Sequence, residues 1–466
     1  MNPIAVGTRI VPEAAEQPFS WRFTTPLLLG STLNPINSSM LATGLVGIGV
    51  DFHKGPGTTA SLISVLYLCS AVTQPTMGKF ANLFGPRRVF LAGAWILLLA
   101  GIVGAAAPAF GFLLLSRALI GVGTSAAYPT AMLLIRRRAD DAGISVPNKV
   151  LGNLSIAAQV TAVCGLPLGG VLAGAFGWRA LFAVNVPLAL ITIGFTLSKL
   201  AKDPPLRANG GGYFLKALDV PGILLFAATI LGLLLFLSQL VRPVWWWLAV
   251  TILAGTALYC WERQLSDPLI NFPMLSKNRK LQRTYLRQMM VLLGTYSALY
   301  GVSQWMEQSA HLGASAVGLI LLPLSGLSIV MAKLASRMGW IRLPLICGGL
   351  ALILTAGLML LMTGKSGISV LIFMSLLFGL ANGCSGFANQ AALQGQTAPG
   401  EIAVAAGLFR TAGYIGAIFS ASLIGLTFGI SVGDQGFHVL ACVIGGLGIA
   451  VTLLAALDGA IPWTTK

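Results

Sequence analysis

Ionisable side chains are scarce in this 466-residue sequence, which has 29 Lys and Arg against 13 Asp and Glu. Those that interrupt long apolar runs are the first candidates for chemistry. Arg117 and Arg410 stand deep inside such runs, and Glu307 stands near the end of another. A charge in an apolar environment is expensive, so each marks a functional site unless backbone carbonyls simply tie it down. Arg287 lies one turn inside its run, where its stem can carry the guanidinium out to headgroups. A buried cation without a counter-charge favours an anionic or polar neutral ligand over a second cation. Tyr296, Tyr300, Gln304 and Glu307 recur at i, i+4, i+8 and i+11, one stripe of a helix. Aromatic and amide groups on one face suit a cavity wall; an interfacial tyrosine belt ending in a rim glutamate is the competing reading. Asn34, Asn37, Ser38 and Ser39 surround Pro35, which breaks the helical ladder and frees backbone carbonyls. Gln159, Thr161, Asn382, Asn389 and Gln390 place further polar groups in other runs. A helix–helix hydrogen bond explains any one of them, whereas their recurrence favours a polar path for a small molecule.

Other chemistries lack their residues. Gly364-Lys365-Ser366 has Met359 where a phosphate-binding loop needs its first glycine. The three histidines, His53, His311 and His438, are far apart and form no H-E-x-x-H pair. Six cysteines lie scattered through apolar stretches without C-x-x-C spacing, the pattern of packing thiols. No nucleophile and base stand together. The sequence predicts neither an enzyme nor a protein with a metal or cofactor.

The elements that must position these groups follow from composition. The chain is 56% hydrophobic and 9% charged, with mean hydropathy +0.85. Soluble domains carry roughly 25% charged residues, so most of this exterior faces lipid. Apolar runs of about 20 residues exclude a membrane β-barrel, whose strands alternate in stretches of about 10. The runs 24–49, 58–79, 88–107, 110–134, 151–175, 179–200, 218–240, 243–261, 282–308, 313–333, 341–363, 367–390, 401–429 and 436–458 predict an all-α polytopic protein of about fourteen spans. Residues 1–20 include Pro12, Glu13 and Glu16 and lack an apolar core, so no cleavable signal is expected. With the N-terminus cytoplasmic, 22 of the 29 basic residues fall in inside segments, among them Lys79, Arg136, Arg137, Arg138 and Lys149. Four fall outside (Lys54, Arg179, Arg242 and Lys365), and three lie within spans. That bias places both termini in the cytoplasm and accounts for the +16 net charge without nucleic acid. The expected partners are the bilayer and a small-molecule substrate, with the chain a monomer. Short loops and no large soluble domain point to the inner membrane of a bacterium.

An internal repeat organises the spans. GKFANLFGPRR at 78–88 and AKLASRMGWIR at 332–342 match at an offset of 254, pairing Lys79 with Lys333, Gly85 with Gly339 and Arg88 with Arg342. The spans that precede them are second and tenth in order, so two six-span halves with two inserted spans fit. The boundaries read 1–23 for an N-terminal cytoplasmic segment, 24–200 for the first bundle, 218–261 for the inserted pair and 282–458 for the second bundle. Parallel repeats of this kind place a substrate near the midplane between halves.

The sequence resembles the major facilitator superfamily, and within it the fourteen-span drug:proton antiporter branch. The family's loop between spans 2 and 3, G-x-x-x-D-R-x-G-R-[RK], is matched at Gly78, Gly85 and Arg87, with Arg88 adding a charge. The span-4 signature R-x-x-Q-G-x-G is met by Arg117, Gly121 and Gly123. The span-5 signature G-P-x-x-G-G is met by Gly165, Gly169 and Gly170, with the proline displaced to Pro167. Asn82 replaces the acidic residue of the loop motif, and Asn34 stands where the branch shows an aspartate in L-D-x-T. Amides carry no proton at physiological pH, so the usual carriers are missing. The resemblance implies a major facilitator fold and secondary active efflux of amphipathic organic molecules by alternating access. The residues add a preference for anionic, zwitterionic or neutral substrates, and leave Glu307 as the best proton carrier ahead of Asp51. A dedicated exporter, an importer or a lipid transporter without conventional proton coupling is the alternative.

Overall fold

A computed structural model describes residues 18–54, 56–205, 219–240, 242–265, 268–312, 314–428, 432–459 and 461–464. Most of the N-terminal segment, together with Arg207, Lys216 and Lys466, lies outside the described residues. The architecture is helical. The first group comprises α1 (Trp21–Leu41), α2 (Leu45–Asp51), α3 (Pro56–Phe84), α4 (Pro86–Ala105), α5 (Phe110–Ser125), α6 (Ala127–Asp141), α7 (Asn148–Phe176), α8 (Ala180–Ala183) and α9 (Asn185–Lys199). Then come α10 (Val220–Ser238), α11 (Trp245–Glu262) and the short α12 (Phe272–Lys277). The last group is α13 (Arg279–Gln308), α14 (Ala314–Met338), α15 (Arg342–Leu361), α16 (Ile368–Gln396), α17 (Ile402–Phe428) and α18 (Asp434–Ala456). Among the described residues, nine helical segments are long and apolar enough to cross a bilayer.

Helix ends show the local logic. Pro86 opens α4 at a position whose N–H would be orphaned anyway, and Gly85 before it takes φ +95°. Asp203, from the segment after α9, caps α4 by accepting from the backbone N–H of Arg87 at 3.3 Å and of Arg88 at 2.8 Å. Gly339, the repeat mate of Gly85, also has positive φ, +66°, shortly before α15. Only glycine adopts that backbone without strain, so the motif's spacing reappears as a repeated turn.

α1, α3, α4, α5, α7 and α9 pack among themselves, as do α13 to α18. The groups meet along α3 with α17 and α7 with α14, and α10 lies against both α3 and α17. Call the end carrying Arg87, Arg136, Lys149, Lys333 and Arg342 the basic end. There one hydrophobic core joins the groups: Ala131, Leu151 and Leu154 share it with Ala335, Phe387, Ala391 and Phe409. At the opposite end the cores are separate. Met40, Ile48, Leu62 and Trp178 belong to one, and Val302, Trp305, Phe378 and Phe437 to the other. The seam is thus closed at the basic end and divided at the other.

Lys79 departs from its expected place in a loop. It is buried, with Nζ 3.8 Å from Asp219. Arg287, expected to snorkel, is also fully buried. It donates to Thr284 Oγ1 at 2.7 Å and Asn389 Oδ1 at 3.4 Å, and faces Asp458 at 3.5 Å. The physical reason is the same for both: a carboxylate from a distant segment makes burial cheaper than reaching for water.

Candidate functional site

Five tyrosines, one arginine and three short polar side chains gather where α1, α3, α5 and α6 face α13 and α17. Asn34 is the hub on the first side. Its Nδ2 donates to Ser70 Oγ at 3.1 Å and Thr124 Oγ1 at 3.0 Å, and its Oδ1 accepts from the Tyr414 hydroxyl at 3.1 Å. That hydroxyl also accepts from Gln74 Nε2 at 3.1 Å, so the network crosses the seam. The Tyr67 ring lies 5.6 Å from that of Tyr414, and Tyr67 also interacts with Tyr296 and Tyr300. Tyr296 and Tyr300 stack at 5.7 Å. Half-buried Arg410 sets its guanidinium 4.0 Å above the Tyr128 ring, and its buried Nε has no hydrogen-bond partner. No carboxylate pairs with Arg410 among the described residues. A cation held on a ring face by its quadrupole, with a donor unspent, is equipped to receive an anionic or polar ligand atom.

Close helix approach builds this arrangement. A Cβ on Gly407 would lie 2.6 Å from the Gln74 carbonyl, and one on Gly78 would lie 2.4 Å from the Ala403 carbonyl. Thr411 Oγ1 donates to the Ala71 carbonyl at 2.6 Å, adding a polar tie to the α3–α17 seam. On the other flank Gln159 accepts from Ser328 and donates to Ser155 at 3.0 Å. Nearer the basic end, Ser336 donates to the Asn148 carbonyl at 2.7 Å and Arg136 donates to the Gln394 carbonyl at 3.2 Å.

Several residues singled out by type alone sit elsewhere. Arg117 is 1% exposed inside the first group, where it donates to the carbonyls of Leu62 at 2.9 Å and Asn37 at 3.1 Å. It clamps α5 to α3 and α1 rather than lining the seam. Asn37 is buried with it and donates to Asn185 at 2.7 Å, a tie to α9. The α13 stripe divides. Tyr296 is half-buried in the tyrosine cluster and Tyr300 stacks on it while itself exposed, and Gln304 and Glu307 are exposed farther toward the other end. A helix stripe holds a constant bearing, but the groups diverge at that end, so its last members lose the opposite wall. Asp51 accepts from Trp178 Nε1 at 2.7 Å and pairs with Arg179 at 3.5 Å, a surface tie.

The motif glycines also separate. Gly165 and Gly169 press on α1 at Ser39 and Met40, while Gly170 and Gly174 meet nothing within 4 Å. The side chain of Pro167 lies outside the described residues. Asn82 donates to the Gly400 carbonyl at 3.0 Å, so the amide still joins the loop motif to the approach of α17. Arg87 and Arg88 donate to the carbonyls of Leu197, Phe84 and Pro204 at 3.0 to 3.2 Å. Sequence reasoning missed Tyr67, Ser70, Gln74, Thr124, Tyr128 and Tyr414. Tyrosines inside apolar runs were the available signal.

Known proteins agree with this fold. The Major Facilitator Superfamily profile matches residues 27–421. The uncharacterized MFS-type transporter YwoD of Bacillus subtilis (strain 168) is 32% identical, over 95% of this chain and 98% of its own length. The lincomycin resistance protein of Streptomyces lincolnensis is 26% identical, over 97% of this chain and 94% of its own. Among solved structures, the proton:xylose symporter XylE superposes with a TM-score of 0.66 at 14% identity, covering 95% of this chain and 96% of that one. The chain belongs to the Major Facilitator Superfamily.

Proposed function

We propose that the protein exports small amphipathic organic molecules across a bacterial plasma membrane by alternating access. The observation that carries this reading is the Arg410–tyrosine cluster on a seam closed at the basic end and divided at the other. In the positive-inside orientation the basic end is cytoplasmic, so the cluster communicates with the outside. Two six-helix bundles, with α10 and α11 inserted, then make fourteen spans with both termini in the cytoplasm. The resistance role in the lincomycin relative's name supports the outward direction.

The cluster favours anionic, zwitterionic or neutral substrates with an aromatic or apolar body over quaternary ammonium compounds. Arg410 offers the positive pole, the tyrosine faces accept the apolar part, and no carboxylate faces Arg410 among the described residues to compensate a second cation. Glu307, exposed at the far end of α13, remains the acidic residue to test for proton antiport.

Over-expression in a pump-deficient bacterial host is expected to lower accumulation of toxic amphipathic anions. Increased accumulation would point to an importer, and no change across a broad panel to a dedicated exporter. Single cysteines at Lys365 and Arg137 are expected to label from outside and only after permeabilisation, respectively. Proteoliposomes under an imposed pH gradient separate the coupling models, because gradient-driven flux that survives Glu307→Gln removes Glu307 from the coupling role.

A further inference from the structure

We propose that Glu262 is a proton-binding site at the root of the inserted helix pair, and that its neutral form holds that pair against α3. Glu262 is the last residue of α11, just past the apolar run 243–261, and is 2% exposed. Neither carboxyl oxygen has a well-formed hydrogen bond among the described residues, and the backbone N–H groups of Leu269 and Ile270 that act on the carboxylate only partly offset its burial. Three elements converge there: α3 brings Lys79, the turn before α10 brings Asp219, and α11 brings Trp261 beside Glu262 itself.

Asp219 is built to stay an anion. Its Oδ1 accepts from Gly222 N at 3.1 Å and Trp261 Nε1 at 2.8 Å. Its Oδ2 accepts from Leu269 N at 3.3 Å and faces Lys79 Nζ at 3.8 Å. Lys79 and Asp219 are the charged groups whose fields reach Glu262. Asp219 opposes an ionised Glu262 more strongly than Lys79 supports it, so ionisation adds a desolvated negative charge that Lys79 and the Leu269 and Ile270 N–H groups offset only in part. Burial first, and the Asp219 carboxylate second, push Glu262 up to about 7. The site therefore takes one proton at or below neutral pH and releases it to solution above that.

Occupancy matters because of what the pair touches. α10 packs on α3 and α17 together, with Phe226, Ile230 and Leu234 in one core with Ala71 and with Leu408, Ile415 and Ile418. Ser422 on α17 donates to the Leu237 carbonyl. The pair straddles the seam, and the Lys79–Asp219–Glu262 cluster is its anchor on α3. Charging Glu262 loads that anchor with a second buried anion beside Asp219.

The inference stands apart from the identity of any substrate, and the test uses the purified full-length protein. Infrared difference spectra between about pH 5.5 and about pH 8.5 are expected to show a protonated-carboxyl band lost with a midpoint near 7. The band is expected to be absent in Glu262→Gln and retained in Glu307→Gln. In Asp219→Asn the midpoint should fall by about one unit or more, because the like charge is gone. Thermal unfolding supplies a second readout. Stability from a raised carboxyl pKa is present at low pH and lost as pH rises through about 7. Wild type should therefore fall behind Glu262→Gln at the higher pH and match it more closely at the lower. An unchanged band in Glu262→Gln, no carboxyl titration near neutral pH, or a melting difference equal at both pH values would overturn the proposal. Should Glu262→Gln fail to fold, the midpoint shift in Asp219→Asn decides by itself: a fall supports the site, and an unmoved midpoint refutes it.

Discussion

Gly78→Ala is the sharpest probe of the seam, because the strain it creates belongs to one arrangement of the helices. A Cβ at this position lies 2.4 Å from the Ala403 carbonyl oxygen, 2.6 Å from its carbon and 2.7 Å from Val404 N. All three atoms are backbone of α17, so no rotamer change relieves the contact. Ordinary contact begins near 3.4 Å, which requires α3 and α17 to part locally by about 1 Å. Overpacking of this kind typically costs ~1–3 kcal/mol. Here the cost falls only on the state in which the basic end is closed, which converts to roughly a 5- to 150-fold shift toward opening. The assay replaces the six native cysteines and introduces Leu154→Cys in the core that joins the groups. Maleimide labelling from the basic side is expected to quicken by roughly 5- to 150-fold in Gly78→Ala. Gly174→Ala is the control, since a Cβ there meets nothing within 4 Å. Unchanged labelling in a folded Gly78→Ala protein, or an equal rise in the control, would refute the reasoning.

Further outcomes follow from single contacts. Arg410→Gln removes a charge-assisted donor worth ~1.5–3 kcal/mol, so efflux of anionic substrates should fall roughly 10-fold or more while neutral ones are less affected. Asp203→Ala removes the acceptor for the Arg87 and Arg88 N–H groups and should cost ~1–2 kcal/mol, read as a lower denaturation midpoint. Asp458→Ala leaves Arg287 buried without its counter-ion and should cost ~3–5 kcal/mol, seen as a large loss of thermal stability. Conservative Asp458→Asn should be milder, because the amide oxygen still accepts a hydrogen bond.

The helices were legible where one physical requirement dominates. A long apolar run must satisfy its backbone internally, and the helices α10, α15 and α18 lie where apolarity alone put them, within a few residues. The turn at Gly85 and its mate Gly339 was legible for a similar reason, since the spacing of a small motif encodes a local backbone conformation. Arg410 and Tyr296 were legible as polar groups in costly places. The sequence could not supply the partners: on α17, Arg410 meets Tyr128 of α6 and Tyr414 meets Tyr67 of α3, and those distances depend on how the helices cross.

The same division explains Arg117 and Glu262. By itself the sequence determined that a charge sits in an apolar run, because solvation cost is a property of residue and neighbours along the chain. Tertiary structure alone decided whether that charge is spent or available. Arg117 is held by two carbonyls inside the first group, with its Nη2 unpartnered there, Arg410 brings an unpartnered Nε to the seam, and Glu262, just past its apolar run, is buried within reach of the charges of Lys79 and Asp219. Burial and pairing are sums over segments far apart in sequence, and only folding brings those segments within a few ångströms.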